Sequence, residues 1–253
     1  TVEAHARERR MNEDDVHSDP DCQGYYGSMA HMADEDAHVV GVLTASPAAQ
    51  LAQIKAWGLP PATLLLLMNA CENRCFFCAN DGVLRPAPGD ITRRTDIEAR
   101  LHANRGLGVS TLCIVGTEPS AHPDFDYALQ LSREVGFERI ELMTSGLRLA
   151  QPGVAERWFD AGICSVAVPL YGATAAVHDA VVGMPSFERT VTGLDRAQAA
   201  GMAVRVHTLA LTRTLPFLAG LVEFVHARWA HPVAIAPVRP KETLFDYATQ
   251  APT

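Results

Sequence analysis

Cys71, Cys75 and Cys78 stand within eight residues of one another, in the run Cys71-Glu-Asn-Arg-Cys75-Phe-Phe-Cys78. Thiolates are soft donors, and three of them from one short loop suit zinc or an iron–sulfur cluster, which normally takes four. A cluster held by three leaves one iron open. An open coordination position can bind a small molecule and act on it, as it does in catalytic zinc sites. Zinc is the competing reading, with a His as fourth ligand. Zinc sites more often use C-x2-C pairs in two separated halves, and this sequence has no second pair.

Such a loop needs elements to hold it. It follows the apolar segment Thr63-Leu64-Leu65-Leu66-Leu67-Met68, the first of six predicted strands. The others are Thr111–Val115, Arg139–Met143, Cys164–Leu170, Met202–Leu209 and Pro232–Ala236. Between them the spacing becomes helical. Thr95-Asp96-Ile97-Glu98 has the form of a capping box, followed by Ile97, Leu101 and Ala103. Phe187, Val191, Leu194 and Gln198 show a second helical pattern, and Leu218, Leu221, Val222 and Val225 a third. Gly146 and Gly201 fall where turns need freedom at φ. Alternating strands and helices predict an α/β fold with a parallel sheet. Six strands with five helices between them predict a partial (β/α)6 TIM-like barrel. An acidic N-terminal arm, residues 1–45, precedes this core of residues 46–253.

The arm carries most of the charge. Residues 1–40 hold ten acids against Arg7, Arg9 and Arg10, and the rest of the chain has 19 acids against 18 bases, within a net charge of −8. A nearly neutral body offers no long-range attraction for a phosphate backbone, so nucleic acid is an unfavoured partner. No stretch reaches the roughly 18 apolar residues of a membrane span, and the N-terminus lacks the order of a secretory signal. The remaining cysteines, Cys22, Cys113 and Cys164, are scattered rather than spaced as a disulfide framework, which predicts a reducing, cytoplasmic location. Cys113 and Cys164 fall in predicted strands and read as core residues, and Cys22 as a free thiol in the arm.

In a parallel barrel, ligands meet residues at the carboxyl ends of the strands. The Cys loop follows the first strand, Gly116-Thr117-Glu118-Pro119 the second and Thr144-Ser145-Gly146 the third. Pro169-Leu170-Tyr171-Gly172 ends the fourth, Arg205 and His207 lie on the fifth, and Pro237-Val238-Arg239-Pro240-Lys241 follows the sixth. All of these share one rim. Arg205 and His207 alternate with Val204 and Val206, which turns them to the polar, inward face. There Arg205 can meet a ligand carboxylate or pair with an interior acid such as Glu141. His178-Asp179, in the long connection after the fourth strand, reads as a solvated loop with a weaker claim to substrate contact.

The C-x3-C-x2-C spacing, with aromatic Phe77 before the last Cys, resembles the radical S-adenosylmethionine (SAM) superfamily over roughly residues 60–240. Gly116-Thr117-Glu118-Pro119 is similar to that family's Gly-Gly-Glu-Pro motif, with Thr117 in place of the second Gly, and Thr144-Ser145-Gly146 to its Thr-Asn-Gly. The resemblance implies a [4Fe–4S] cluster on Cys71, Cys75 and Cys78. It implies SAM contacts from Phe77 near the adenine, from Gly116, Thr117 and Glu118 at the methionine ammonium, from Thr144 and Ser145 near the ribose or methionine end, and from Arg205 and His207 at the carboxylate. The chemistry implied is one-electron cleavage of SAM to methionine and a 5′-deoxyadenosyl radical, which takes hydrogen from a small-molecule or peptide substrate. An external donor of the flavodoxin or ferredoxin type would supply the electron. With no Cys after Cys164, a single-cluster enzyme is expected. Activation of a partner enzyme through a glycyl radical, and a non-catalytic iron–sulfur or metal-binding module, are the alternatives.

Overall fold

The computed structural model describes residues 62–68, 70–78 and 91–237, with isolated positions 49, 52, 56 and 89. The expected acidic arm, Cys22, and Val238 to Lys241 of the last rim segment lie outside these residues. Six strands are present among the described residues: β1 (Ala62–Leu66), β2 (Thr111–Val115), β3 (Arg139–Met143), β4 (Ile163–Pro169), β5 (Ala203–Ala210) and β6 (Val233–Pro237). All neighbouring pairs are parallel, and the spatial order is the chain order. Sequential parallel strands joined by crossovers of one hand put every helix on one side of the sheet. The opposite face is thereby left to line a barrel interior, which agrees with the expected partial barrel.

The helices are α1 (Arg94–Gly106), α2 (Phe125–Glu134), α3 (Val154–Asp160), α4 (Ala175–Val182), α5 (Phe187–Ala199) and α6 (Leu218–Trp229). Period-2 alternation sends Leu65, Leu112, Ile114, Ile140, Leu142, Val166, Val168, Val204 and Val206 to the helical side. There they join Ile97, Leu101, Leu129, Trp158, Leu194, Leu221 and Val225 in one core. Each such side chain contributes about 1.5–3 kcal/mol when fully buried, so the strand pattern and the helical stripes specify one another.

Several expectations need correction. Two helices, not one, span the β4–β5 connection. Gly183, at φ +72°, stops α4 in the left-handed region, and α5 begins four residues later. His178 therefore lies on a helix and is buried, not in a solvated loop. The capping box at Thr95 does not form. The helix starts at Arg94, and Arg93 grips Asp96 through Nε and Nη2 at 2.9 and 3.1 Å. Glu98, the residue expected to close the box, accepts from the Tyr127 hydroxyl at 2.7 Å instead. Ala103 is exposed, since six positions beyond Ile97 is off the helical stripe. Val222 is also exposed, at 39%, while Leu221 and Val225 face the core.

Candidate active site

The Cys loop leaves β1 through a stem stitched on both sides. Leu67 N–H donates to Val115 O at 3.2 Å, and Thr117 N–H to Met68 O at 3.1 Å. On the other side Thr92 donates its N–H to Leu67 O and its hydroxyl to Leu66 O. This closeness explains one residue of the second motif. Gly116 sits at φ +148°, and a Cβ there would stand 2.6 Å from Met68 O, so a side chain would push the loop's stem off β2. Thr117 is not at positive φ. The position where the family pattern has a second Gly thus needs no glycine in this chain.

Farther along, the loop rests on the β4 side. Arg74 N–H donates to Val182 O at 2.8 Å, and the same approach leaves no room for a side chain on Gly183, whose Cβ would lie 2.7 Å from Arg74 O. Cys75, Phe76 and Phe77 pack on a satellite cluster of Tyr171, Val181, Val182 and Leu211. Phe77 meets Tyr171 edge-on at 5.3 Å, and Tyr171 stacks on His178 at 5.8 Å. The imidazole of His178 is fixed from both sides: Nδ1 accepts from Tyr171 N–H at 3.3 Å, and Nε2 lies 3.2 Å from Ser186 Oγ. Burial lowers its pKa to about 4. Asp179 accepts from the N–H groups of Ser186 and Phe187, both at 2.9 Å, and so serves the start of α5 from a neighbouring helix.

All three loop thiols are half-buried. Burial pushes Cys71 and Cys75 up to about 12, with the neighbouring thiols, and Glu118 in the case of Cys71, adding to the effect. The Tyr171 hydroxyl is likewise raised, first by burial and then by all three thiols. A metal centre reverses that balance, since its positive charge holds the thiolates and releases their protons. Three soft donors spread along one loop fit an iron–sulfur cluster.

Glu118 is the polar hub of the rim. It is buried at 3% exposure, and five donors reach its carboxylate. Oε1 accepts from Ser120 N–H at 3.2 Å, from the Ser120 hydroxyl and from Thr144 Oγ1 at 2.8 Å. Oε2 accepts from Ser145 N–H at 2.7 Å and from the Ser145 hydroxyl. Gly146, at φ +80°, then turns the chain away, with Val168 Cγ1 3.1 Å from where a Cβ would be. The ends of β2 and β3 are thus tied together beside the Cys loop. Thr144 and Ser145 were grouped with Glu118 by placement on the rim, and the structure joins them directly. Ser120, which completes the set, was not foreseen; it is the middle residue of the short 3-10 helix Pro119–Ala121 that Glu118 caps.

Arg205 and His207 do face inward. Arg205 Nη2 pairs with Glu141 Oε2 at 2.7 Å, while Nε and Nη1 are buried without partners. Of the two roles expected of Arg205, the structure shows the pairing with Glu141. His207 has its pKa lowered to about 4, by burial first and then by Arg205, and its Nδ1 is buried without a partner. Cys113 is on the same inner face, not in the helical core. Its Sγ lies 3.8 Å from Glu141 Oε2, and burial pushes it up to about 12.

A three-thiol loop, a fixed carboxylate beside it and a parallel partial barrel now define what the chain should be similar to. The model of the radical SAM superfamily matches residues 65–216, more than half of the chain. The protein belongs to the radical SAM superfamily. Members of this superfamily are enzymes that use a [4Fe–4S] cluster and SAM. One relative is the GTP 3′,8-cyclase of Klebsiella pneumoniae strain 342, 30% identical over 152 residues, which are 57% of this chain and 45% of the cyclase. The chain thus spans about half the length of the curated relatives it matches. Among solved structures, that of anSMEcpe with bound AdoMet has a TM-score of 0.61 at 13% identity, covering 74% of this chain and 55% of the other. Streptococcus suis SuiB bound to precursor peptide SuiA has a TM-score of 0.56 at 19% identity, covering 74% and 42%. These likenesses show the radical SAM fold. No helix among the described residues is long and apolar enough to cross a membrane.

Proposed function

We propose that this radical SAM enzyme cleaves SAM reductively at a [4Fe–4S] cluster held by Cys71, Cys75 and Cys78, and directs the resulting radical at a small-molecule or peptide substrate. The observation that supports this reading is the stitching of the Cys-loop stem to Val115 and Thr117, on the strand end that leads into Glu118 and its partners Thr144 and Ser145. Cys71, Cys75 and Cys78 would hold the cluster, which would provide the single electron for reductive cleavage of the C5′–S bond of SAM to methionine and a 5′-deoxyadenosyl radical. The rest belongs to the chain's own side chains. Glu118 holds a negative charge at a fixed point, and the hydroxyls of Ser120 and Ser145 can rotate to yield a lone pair to an arriving ammonium. Phe77, packed edge-on to Tyr171, offers an apolar flank for the adenine. An external flavodoxin- or ferredoxin-type protein serves as donor, and a cytoplasmic location keeps the thiols reduced.

The relatives support different substrates: a GTP 3′,8-cyclase by sequence, and a peptide-bound enzyme among the folds. The test is anaerobic reconstitution with iron and sulfide, followed by dithionite and SAM. The wild-type chain should hold iron and form 5′-deoxyadenosine, and Cys71→Ala, Cys75→Ala and Cys78→Ala should each lose both. Iron retained in all three variants, with no 5′-deoxyadenosine from wild type, would sink the reading.

A further inference from the structure

Tyr171, just after β4, is part of the floor on which the Cys loop rests. Cys75, Phe76 and Phe77 pack against the cluster it forms with Val181, Val182 and Leu211. Its ring is held from two sides, by Phe77 edge-on at 5.3 Å and by His178 stacked at 5.8 Å. Its backbone is held too: Tyr171 N–H donates to His178 Nδ1 at 3.3 Å, and Leu170 N–H to His207 O at 2.9 Å. The side chain is thus fixed beneath the loop, and the residue is only 5% exposed. Its hydroxyl nevertheless hydrogen-bonds to none of the described residues.

A buried tyrosine hydroxyl usually has a partner. Val181, Val182, Leu211 and Phe77 offer none, and both nitrogens of His178 are already engaged. What remains beside it is sulfur. Burial keeps the phenol in its protonated, donating form, and the thiols of Cys75, Cys78 and Cys71 add to that effect, in that order. We propose that the Tyr171 hydroxyl donates a hydrogen bond to a sulfur of the cluster, a ligand thiolate or an inorganic sulfide, and thereby raises the cluster's reduction potential. The inference rests on the reading that Cys71, Cys75 and Cys78 hold a cluster. Hydrogen bonds to the sulfurs are among the levers that set such a potential, and groups outside the ligand set commonly tune a metal centre. Reduction adds one negative charge, and a donor proton aimed at sulfur stabilises the more negative state. The apolar neighbours work the other way, since burial disfavours added charge. In that setting a single donor counts for more than it would in water.

The test uses the full chain, anaerobically reconstituted with iron and sulfide and titrated with dithionite without SAM, the reduced cluster being read by electron paramagnetic resonance. Tyr171→Phe keeps the ring and removes only the oxygen. It should assemble iron and sulfide like wild type and be about tenfold harder to reduce, a fall of about 59 mV in midpoint potential. A second measurement reads the bond itself: after exchange into heavy water, pulsed resonance of the reduced wild-type cluster should show a deuteron coupling that Tyr171→Phe lacks. An unchanged midpoint potential overturns the proposal, as do identical deuteron couplings in the two proteins. A fall in potential seen only with SAM present assigns the hydroxyl to the cofactor and overturns it as well. Loss of the cluster in Tyr171→Phe would make the residue a support of the loop, against the tuning role. A wild-type chain that assembles no cluster defeats the reading of the thiol loop itself, a different result from a cluster indifferent to Tyr171.

Discussion

Glu118 and Glu141 are buried alike, 3% and 4% exposed, and their surroundings differ in completeness. Glu118 receives five hydrogen bonds from three residues on two chain segments, all within the folded chain. Glu141 has one close cation, and that cation keeps two nitrogens unpartnered. The first arrangement is pre-organised: the carboxylate's position is set before any ligand arrives, as a site that must place a charge requires. The second leaves donors over. The contrast separates a closed rim from an interior ion pair whose cation is only partly satisfied.

If that contrast is sound, the largest loss should come from the complete site. Glu118→Ala leaves the Ser120, Thr144 and Ser145 donors facing a hole, and should lower unfolding free energy by about 4 kcal/mol in urea titrations of the full chain. A loss below about 1 kcal/mol would mean that solvent reaches these donors and that the rim is not closed. Next is Glu141→Ala, which strands Arg205 and should cost about 3 kcal/mol, while Glu141→Gln/Arg205→Gln should cost less than half as much. A double variant as damaging as the single would show the pair to be needed for packing, not for compensating charge. Gly116→Ala should cost about 2 kcal/mol, by strain at φ +148° and by collision with Met68 O, and should lower iron retention by parting the loop stem from β2.

The smallest expected effect is a pH slope. His178 has a pKa of about 4 in the folded chain against an ordinary 6.5, because burial disfavours its charged form. The unfolded chain therefore binds a proton first as pH falls, so stability is full above about 6.5 and declines toward 4. Between pH 7 and pH 5 the loss from this residue is about 1–2 kcal/mol. His178→Gln keeps polar atoms near Tyr171 and Ser186 without titrating, and should flatten the slope of unfolding temperature against pH. An unchanged slope would place the acid sensitivity elsewhere, with His207 the next group to substitute.

The strands were legible because their side chains alternate, and β2 and β3 agree with the sequence reading end for end. Helical boundaries were less so. The apparent capping box at Thr95 was overruled by Tyr127, a residue of another helix that recruits Glu98, and no local pattern contains that competition. His178 looked like a loop residue since its partners, Tyr171 and Ser186, are seven and eight positions away on either side of a helix.

By itself the sequence determined the three-thiol loop of Cys71, Cys75 and Cys78 on which the proposed cluster rests, the parallel α/β architecture and the rim on which the motifs meet. Those depend on residue type, spacing and period, which are properties of short stretches. Tertiary structure alone decided which polar groups are satisfied. Thr144, Ser145 and Ser120 complete Glu118, and Arg205 answers Glu141 while leaving donors over. Hydrogen bonds reach only about 3 Å, so the partners of a buried carboxylate are fixed by which strands come to lie side by side, at separations of 26, 27 and 64 residues along the chain.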